Sequence, residues 1–299
     1  MRNLILENDM CERNDADGND NPSTSDVHIE NPRKTVVDLR QLLKDKISKN
    51  EIFCSFEIVS TRKSGAFYQR LLINMEEYSP LFYALTWHNE AASDNDGYLP
   101  LDLAENFPAN TLLHLAAKDS LSENGDFEHA ADLVVFIRQR FGDTFCVCVA
   151  GYPQMHPESP SKELDLHYLK AKVQAGADFI ITQICFDSRV LINFVRDCRE
   201  IGIQIPILPG ILAPTNHACL EKMIDICRLD VPIKIKEDLA RMKDDDQAAR
   251  TYSVDLIAQI ITDVIRNGAT YGFHLFTLNR LSLVAEICKR IESFKAENL

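Results

Sequence analysis

Glu57 stands near the end of an apolar stretch, CSFEIVSTR, between Phe56 and Ile58. Alternation along a strand points it away from both neighbours. A carboxyl group held in apolar surroundings has a raised pKa and can serve as an acid near neutral pH. The plain alternative is a strand-end ion pair, with Arg62 as partner. Thr86, Trp87 and His88 close a second apolar stretch, and His114 sits inside a third. A lone strand histidine is either hydrogen-bonded core or a ligand contact, and both readings stay open.

A second set of residues follows the run Cys146 to Ala150. Tyr152 and His156 lie in the proline-containing loop after it, and Asp165 and Lys172 lie two turns apart on the next helix. Tyrosine and histidine can stack on or hydrogen-bond a flat ligand. A cation with several donors at the carboxyl end of a strand suits a phosphate-bearing cofactor. The same residues also fit an ordinary solvated helix face. Gln183 and Asp187 end the next apolar run, and Asn279–Arg280 follow the last one, where an arginine could grip a carboxylate with two bonds. No HxxxH or HExxH spacing offers a zinc site, and no Gly-x-Ser-x-Gly elbow offers a serine nucleophile.

The elements that must position these groups alternate. Residues 144–187 read as strand, helix, strand. The helix shows apolar Leu166, Leu169 and Val173 on one face, and Gly176 ends it. Such a unit closes with a right-handed crossover between parallel strands. The rest of the chain repeats it. Strands are expected near residues 55, 84, 113, 147, 181, 208 and 273, the sixth broken by Pro206 and Pro209. Helices are expected over 35–49, 65–77, 101–107, 127–141, 189–201, 216–228, 248–267 and 280–294, with an acidic linker, Lys243–Gln247, before the long one. No hairpin signal interrupts this, so the sheet is parallel. Neither GxGxxG nor GxxxxGK[ST] occurs, which disfavours a doubly wound nucleotide fold. The fold expected is α/β, a TIM (β/α)8-type barrel. Seven strands leave one βα unit missing, and the gap falls between Ala117 and Gly125.

With 299 residues the chain suffices for one such barrel. Residues 1–34 are polar and acidic and read as a disordered tail, with the barrel over 35–299. The net charge of −13 disfavours nucleic acid and anionic membrane as partners. No apolar run approaches the ~20 residues of a membrane span. Nine scattered cysteines without a CxxC read as reduced thiols in the cytoplasm. Cys146 and Cys148 alternate with valines and read as strand residues rather than ligands.

Several blocks together resemble one family. SFE at 55–57, LTWH at 85–88, GYPxxHPE at 151–158, DLxxLKxKVxAGADFIITQ at 165–183, PGI at 209–211 and HLFTLNR at 274–280 are similar to methylenetetrahydrofolate reductase, with the TWH variant resembling its animal branch. The resemblance implies a barrel holding FAD. It also implies reduction of 5,10-methylenetetrahydrofolate to 5-methyltetrahydrofolate with NADPH or NADH, both substrates using the flavin in turn. That removes the need for a separate nucleotide domain. Glu57 matches the general acid. Thr86, Trp87, His114, Ala150, Tyr152, His156, Asp165 and Lys172 match flavin contacts, and Gln183 and Arg280 match folate contacts. A homo-oligomer is compatible with the resemblance.

The departures are specific. The family carries a helix and a strand ending Leu-Arg-Gly-Asp before the helix at 127. That segment is missing at the place where the strand count falls short. A double proline is replaced by Ser60 and Thr61, and an aromatic hydroxyl is lost at Phe276. The alternative reading is a non-catalytic paralogue or shortened isoform that binds a partner. Animal reductases add a C-terminal domain that binds S-adenosylmethionine. This chain stops after the last barrel helix, so no inhibition by that molecule is expected.

Overall fold

The computed structural model describes residues 37–61, 63, 65–86, 104, 107, 110–114, 127 and 129–298. The expected tail over 1–34, most of the expected helix at 101–107, Trp87 and the expected gap lie outside the described residues. In chain order the elements are α1 (Leu39–Ser48), β1 (Phe53–Val59), α2 (Gly65–Met75), β2 (Tyr83–Thr86), β3 (Thr111–Leu113), α3 (Ala130–Phe141) and β4 (Cys148–Gly151). Then come α4 (Lys162–Gln174), β5 (Phe179–Thr182), α5 (Ser188–Glu200), β6 (Ile207–Leu208) and β7 (Gly210–Ile211). The chain ends with α6 (His217–Cys227), α7 (Ile233–Arg241), α8 (Asp246–Arg266), β8 (Gly272–Leu275) and α9 (Leu281–Asn298).

Every strand pairing is parallel. One sheet runs β3-β2-β1-β8-β7 and the other β4-β5-β6. First and last strands pair, Ser55 opposite His274, which is how a barrel closes. β6 and β7 are two halves of one stretch separated by Pro209. Proline has no N–H to give a ladder, but its carbonyl still accepts. Pro206 O accepts from Ile180 N–H of β5, and Pro209 O accepts from His274 N–H of β8, each at 2.9 Å. The single stretch therefore joins the two sheets. The strand order is that of the eight-stranded barrel, with one position open between β3 and β4 among the described residues. β3 is correspondingly poorly covered: Leu113 is 39% exposed.

Aromatic rings fill the interior. Phe82, one residue before β2, meets Phe179 of β5 edge-to-face at 5.6 Å and stacks on His274 of β8 at 6.1 Å. Phe276 meets His274 edge-to-face at 4.9 Å. These contacts from separate strands are the layered packing of a barrel core. Outside, Val149, Ile180 and Ile207 pack against Leu166 and Leu169 of α4 and Phe194 of α5.

Two boundaries differ from the sequence expectation. The acidic run is divided: Lys243 and Asp244 lie in the turn after α7, Asp245 accepts from Ala248 N–H at 2.9 Å as the cap, and α8 begins at Asp246, two residues before the expected start. The helix α7 lies in a stretch to which the sequence reading assigns no element. Pro232 starts it, and the i, i+4 pair Ile235 and Leu239 supplies its buried face. As expected, Gly176 takes a positive φ, +114°, just past α4. No described helix is long and apolar enough to cross a membrane.

Candidate active site

Two groups of polar side chains collect at the carboxyl ends of the strands. The first centres on Glu57 of β1. Its neighbours in the register are Ala84 on β2 and, through Ser55, His274 on β8. Glu57 is 2% exposed. Its Oε1 accepts from Thr86 Oγ1 at 2.6 Å, and Thr86 Oγ1 is 2.9 Å from Nδ1 of His114. Ser55 Oγ lies 2.8 Å from Nδ1 of His274. Two buried atoms here, Glu57 Oε2 and His274 Nε2, have no hydrogen-bond partner among the described residues.

Burial pushes the Glu57 carboxyl up to about 6, against the pull of the Thr86 hydroxyl and the backbone amides of Leu278 and Thr277. Those amides act on the carboxylate as nearby dipoles, since Oε2 receives no formed bond. His114 is brought down to about 4 by burial, and His274 well below its ordinary value, first by burial and then by His114. Glu57 makes no ion pair among the described residues. Arg62, its alternative partner, lies outside them.

The loop after β8 holds the strand that carries this carboxyl. Leu278 and Asn279 both take positive φ, 50° and 59°, so the chain turns back sharply onto β1. Thr277 Oγ1 donates to Glu57 O at 2.7 Å. The Asn279 amide accepts from Val59 N–H at 2.9 Å and donates to Val59 O at 2.7 Å. One side chain thus completes the backbone bonding of β1 just beyond Glu57. Sequence reading missed Ser55, His274, Thr277 and Asn279 as parts of the site. The available signal was strand alternation, which puts Gly272, His274 and Phe276 on one face.

The second group lies at the end of β4. Lys172 Nζ donates to Ala150 O at 2.6 Å and sits 6.0 Å from the centre of the Tyr152 ring. Tyr152 and His156 meet edge-to-face at 4.7 Å. Asp165 is buried, its carboxyl raised by burial and lowered by the His156 backbone amide and the Lys172 cation. Burial lowers Lys172 to about 8. The solvated-face reading is therefore corrected for Asp165 and Lys172: i, i+7 spacing turns both toward β4. No hydrogen bond or ion pair among the described residues joins this group to the first.

The remaining expected residues do other work here. Gln183 is half-buried, and its Oε1 accepts from Ile184 N–H at 2.9 Å. Arg280 Nη1 is 3.9 Å from Cys219 Sγ. A packing seam beside β7, β8 and α8, lined by Leu191, Pro209, Ile260 and Phe273, has no room for a water, carries no titratable group and is not this site. No cluster of His, Cys, Asp or Glu among the described residues could hold a metal.

The buried carboxyl has a thermodynamic signature. Its folded-state value, about 6, lies above the ordinary 4.5. The native state therefore holds this proton more tightly than the unfolded chain. The contribution is fully present below about pH 4.5 and is lost as pH rises through about 6. At higher pH, keeping the ionised group buried costs about 2 kcal/mol. The stability of Glu57→Gln relative to wild type, from urea melts, should therefore rise by about 2 kcal/mol between pH of about 4.5 and 7.5. A difference that is flat with pH would contradict the buried setting.

The chemistry present suits a flavin nucleotide. Lys172 is a half-buried cation with no carboxylate at ion-pair distance among the described residues, fit for a pyrophosphate. Tyr152 offers a ring face, and the two orphaned buried atoms at Glu57 and His274 offer hydrogen bonds to a polar ring edge.

Comparison with known proteins agrees in kind. A family model described as methylenetetrahydrofolate reductase matches residues 115–292. A probable methylenetetrahydrofolate reductase (NADPH) of Caenorhabditis elegans is 39% identical over 168 residues, 56% of this chain and 25% of the relative. Methylenetetrahydrofolate reductase (NADH) 1 of Arabidopsis thaliana is 39% identical over 164 residues, 52% of this chain and 28% of the relative. The chain thus spans little more than a quarter of the length of these relatives. The family match begins after β3, so Glu57, Thr86 and His114 are placed by their own motifs and geometry. Among solved structures, an uncharacterised protein from Clostridium thermocellum, described as binding two copies of 5-methyl-5,6,7,8-tetrahydrofolic acid, superposes with a TM-score of 0.60 at 14% identity. That match covers 86% of this chain and 100% of the other, and it shows the shared fold.

Proposed function

The chain belongs to the methylenetetrahydrofolate reductase family, and from that premise we propose that it carries the family's reaction, the FAD-dependent reduction of 5,10-methylenetetrahydrofolate to 5-methyltetrahydrofolate with NADPH or NADH. The observation that carries this reading is Glu57: a carboxyl 2% exposed, raised to about 6, at the carboxyl end of a barrel strand. Such a group is protonated often enough near neutral pH to act as an acid.

Glu57 gives its proton to the bridging nitrogen of the folate. The carbon–nitrogen bond of the five-membered ring then breaks, and its electron pair stays on that nitrogen. FAD, when bound and first reduced by NADPH or NADH, would supply the hydride that the opened substrate accepts. Thr86 holds the carboxyl in one orientation, and Thr277 and Asn279 hold the strand beneath it. On the β4 side, Lys172, Asp165, Tyr152, His156 and Ala150 would hold the flavin nucleotide, with Trp87 and His114 completing its contacts. Gln183 and Arg280 would contact the folate after their present bonds are exchanged. We place the protein in the cytoplasm, where the eight described cysteines, none of them in a disulfide, would stay reduced. A homo-oligomer is compatible with this assignment.

The experiment is direct. Flavin-loaded protein is given NADPH, then NADH, without oxygen, and the visible flavin absorbance is followed. Bleaching by one of them, with colour restored by 5,10-methylenetetrahydrofolate, is expected. Bleaching without restoration would overturn the folate assignment.

One observation favours a second reading. Strands β3 and β4 each keep an unpaired edge among the described residues, at the position where the resemblance would put a Leu-Arg-Gly-Asp strand. A shortened, non-catalytic relative that binds a partner would show this edge and would take up no flavin.

A further inference from the structure

We propose that the buried carboxyl of Glu57 exchanges its proton with the outside through the Thr86 hydroxyl and the His114 imidazole, a path that crosses β1, β2 and β3. The proposal rests on the reading of Glu57 as a proton donor and adds how that donor is recharged. A carboxyl 2% exposed has no surface of its own through which to do so. What it has is one hydroxyl at 2.6 Å, and beyond that one ring nitrogen at 2.9 Å.

The geometry ties the two ends together. A hydroxyl has one proton to give and lone pairs to receive. While Thr86 donates to an ionised Glu57, it must accept from His114, so the imidazole carries its proton on Nδ1. When Glu57 is protonated on Oε1, the direction reverses. Glu57 donates to Thr86, Thr86 donates to a bare Nδ1, and the imidazole proton sits on Nε2. The charge state of Glu57 is thereby coupled to the tautomer of a neutral histidine.

The transfer balances. Starting from the carboxylate, the Thr86 hydroxyl proton moves to Glu57 Oε1. The Nδ1 proton of His114 moves to Thr86 Oγ1. Nε2 takes a proton from hydronium or a buffer acid. One proton enters, Glu57 is neutralised, Thr86 is unchanged and His114 remains neutral. No electron moves.

The outer end is where such a path needs it. His114 follows the last residue of β3, which is an edge strand among the described residues, and is only half-buried. Its ring is screened from water, which keeps it uncharged near neutral pH as a carrier of single protons should be, while the residue as a whole keeps some exposed surface. The titratable group that faces the path from β8 is His274, 6.4 Å from His114 between ring centres; it is bonded to Ser55 and stands aside from the chain of bonds. The other groups facing Glu57 are the backbone amides of Thr277 and Leu278, and no charged side chain contributes to its setting.

The test is ¹⁵N NMR of histidine-labelled protein, with the His114 signals identified by their loss in His114→Gln. Across pH of about 5 to 8, His114 should pass from mainly Nε2–H at the acid end to mainly Nδ1–H at the alkaline end, following Glu57. Glu57→Gln and Thr86→Val should each abolish the change, and Thr86→Ser should keep it. A tautomer that stays fixed across the range, or a change that survives in Glu57→Gln or Thr86→Val, overturns the relay. The measurement needs no turnover. A coupled tautomer in a protein that reduces no folate would remove the functional assignment and leave the relay, whereas a fixed tautomer in an active enzyme would do the reverse.

Discussion

Glu57→Gln is expected to lose the reduction of methylenetetrahydrofolate by about 10²–10⁴-fold, the usual worth of a positioned general acid, while NADPH still bleaches the flavin at an unchanged rate. The two half-reactions differ in what they ask of this residue. Hydride delivery from a nicotinamide needs no proton from the protein. Opening the folate ring does, because the nitrogen must leave as an amine. Glutamine keeps the size of the side chain and an oxygen for the Thr86 hydroxyl, so the barrel mouth should keep its shape. What it lacks is a proton that can be given away. A group raised to about 6 is protonated in about one molecule in ten at pH 7, so the wild-type folate step should quicken as pH falls toward 6. The variant should show no such rise. Retention of the wild-type folate rate by Glu57→Gln would remove the role assigned to this carboxyl.

The second large effect is on the fold that holds the site. Gly210→Ala should destabilise the protein by about 3 kcal/mol or more, at the upper end of overpacking costs. A Cβ at Gly210 would come 2.0 Å from Thr182 O and 2.6 Å from the Phe276 ring. The first neighbour is backbone. It cannot move without disturbing the seam where β6 and β7 join the two sheets, and Gly210 N–H itself donates to Thr182 Oγ1 at 3.0 Å. A lower urea midpoint with an unchanged slope would be the signature of lost stability rather than altered unfolding. Wild-type stability in this variant would mean that β5 and β7 lie farther apart than described.

Most of the architecture was legible in the sequence because parallel strands buried on both faces read as short apolar runs separated by helix-length intervals. The expected shortfall of one strand falls between β3 and β4, which do not pair among the described residues; residues 115–126 between them lie outside those residues. What could not be read was local competition. Ile233 and Ile235 alternate like a strand, but Pro232 and the Ile235–Leu239 pair make a helix. The acidic run at 243–247 has the composition of a linker, but Asp245 uses its carboxylate as a cap. In the site, Glu57 and Thr86 were each visible as residues near strand ends, whereas His114 was expected inside its strand and stands just past β3. Their linkage by one hydroxyl was not visible, because it depends on the stagger of three strands. The part of Asn279 was hidden for another reason. An asparagine completing the backbone bonds of Val59 is set by two successive positive φ angles, which no spacing rule reveals.

The account depends on a barrel that admits an isoalloxazine ring beside residue 57. Titration of the purified chain with FAD, followed by flavin fluorescence and by colour retained through gel filtration, tests that most directly. Saturable uptake of one flavin per chain, weakened in Lys172→Met, is the predicted result. Flavin that stays free at every protein concentration, with a colourless and monodisperse protein, would contradict it.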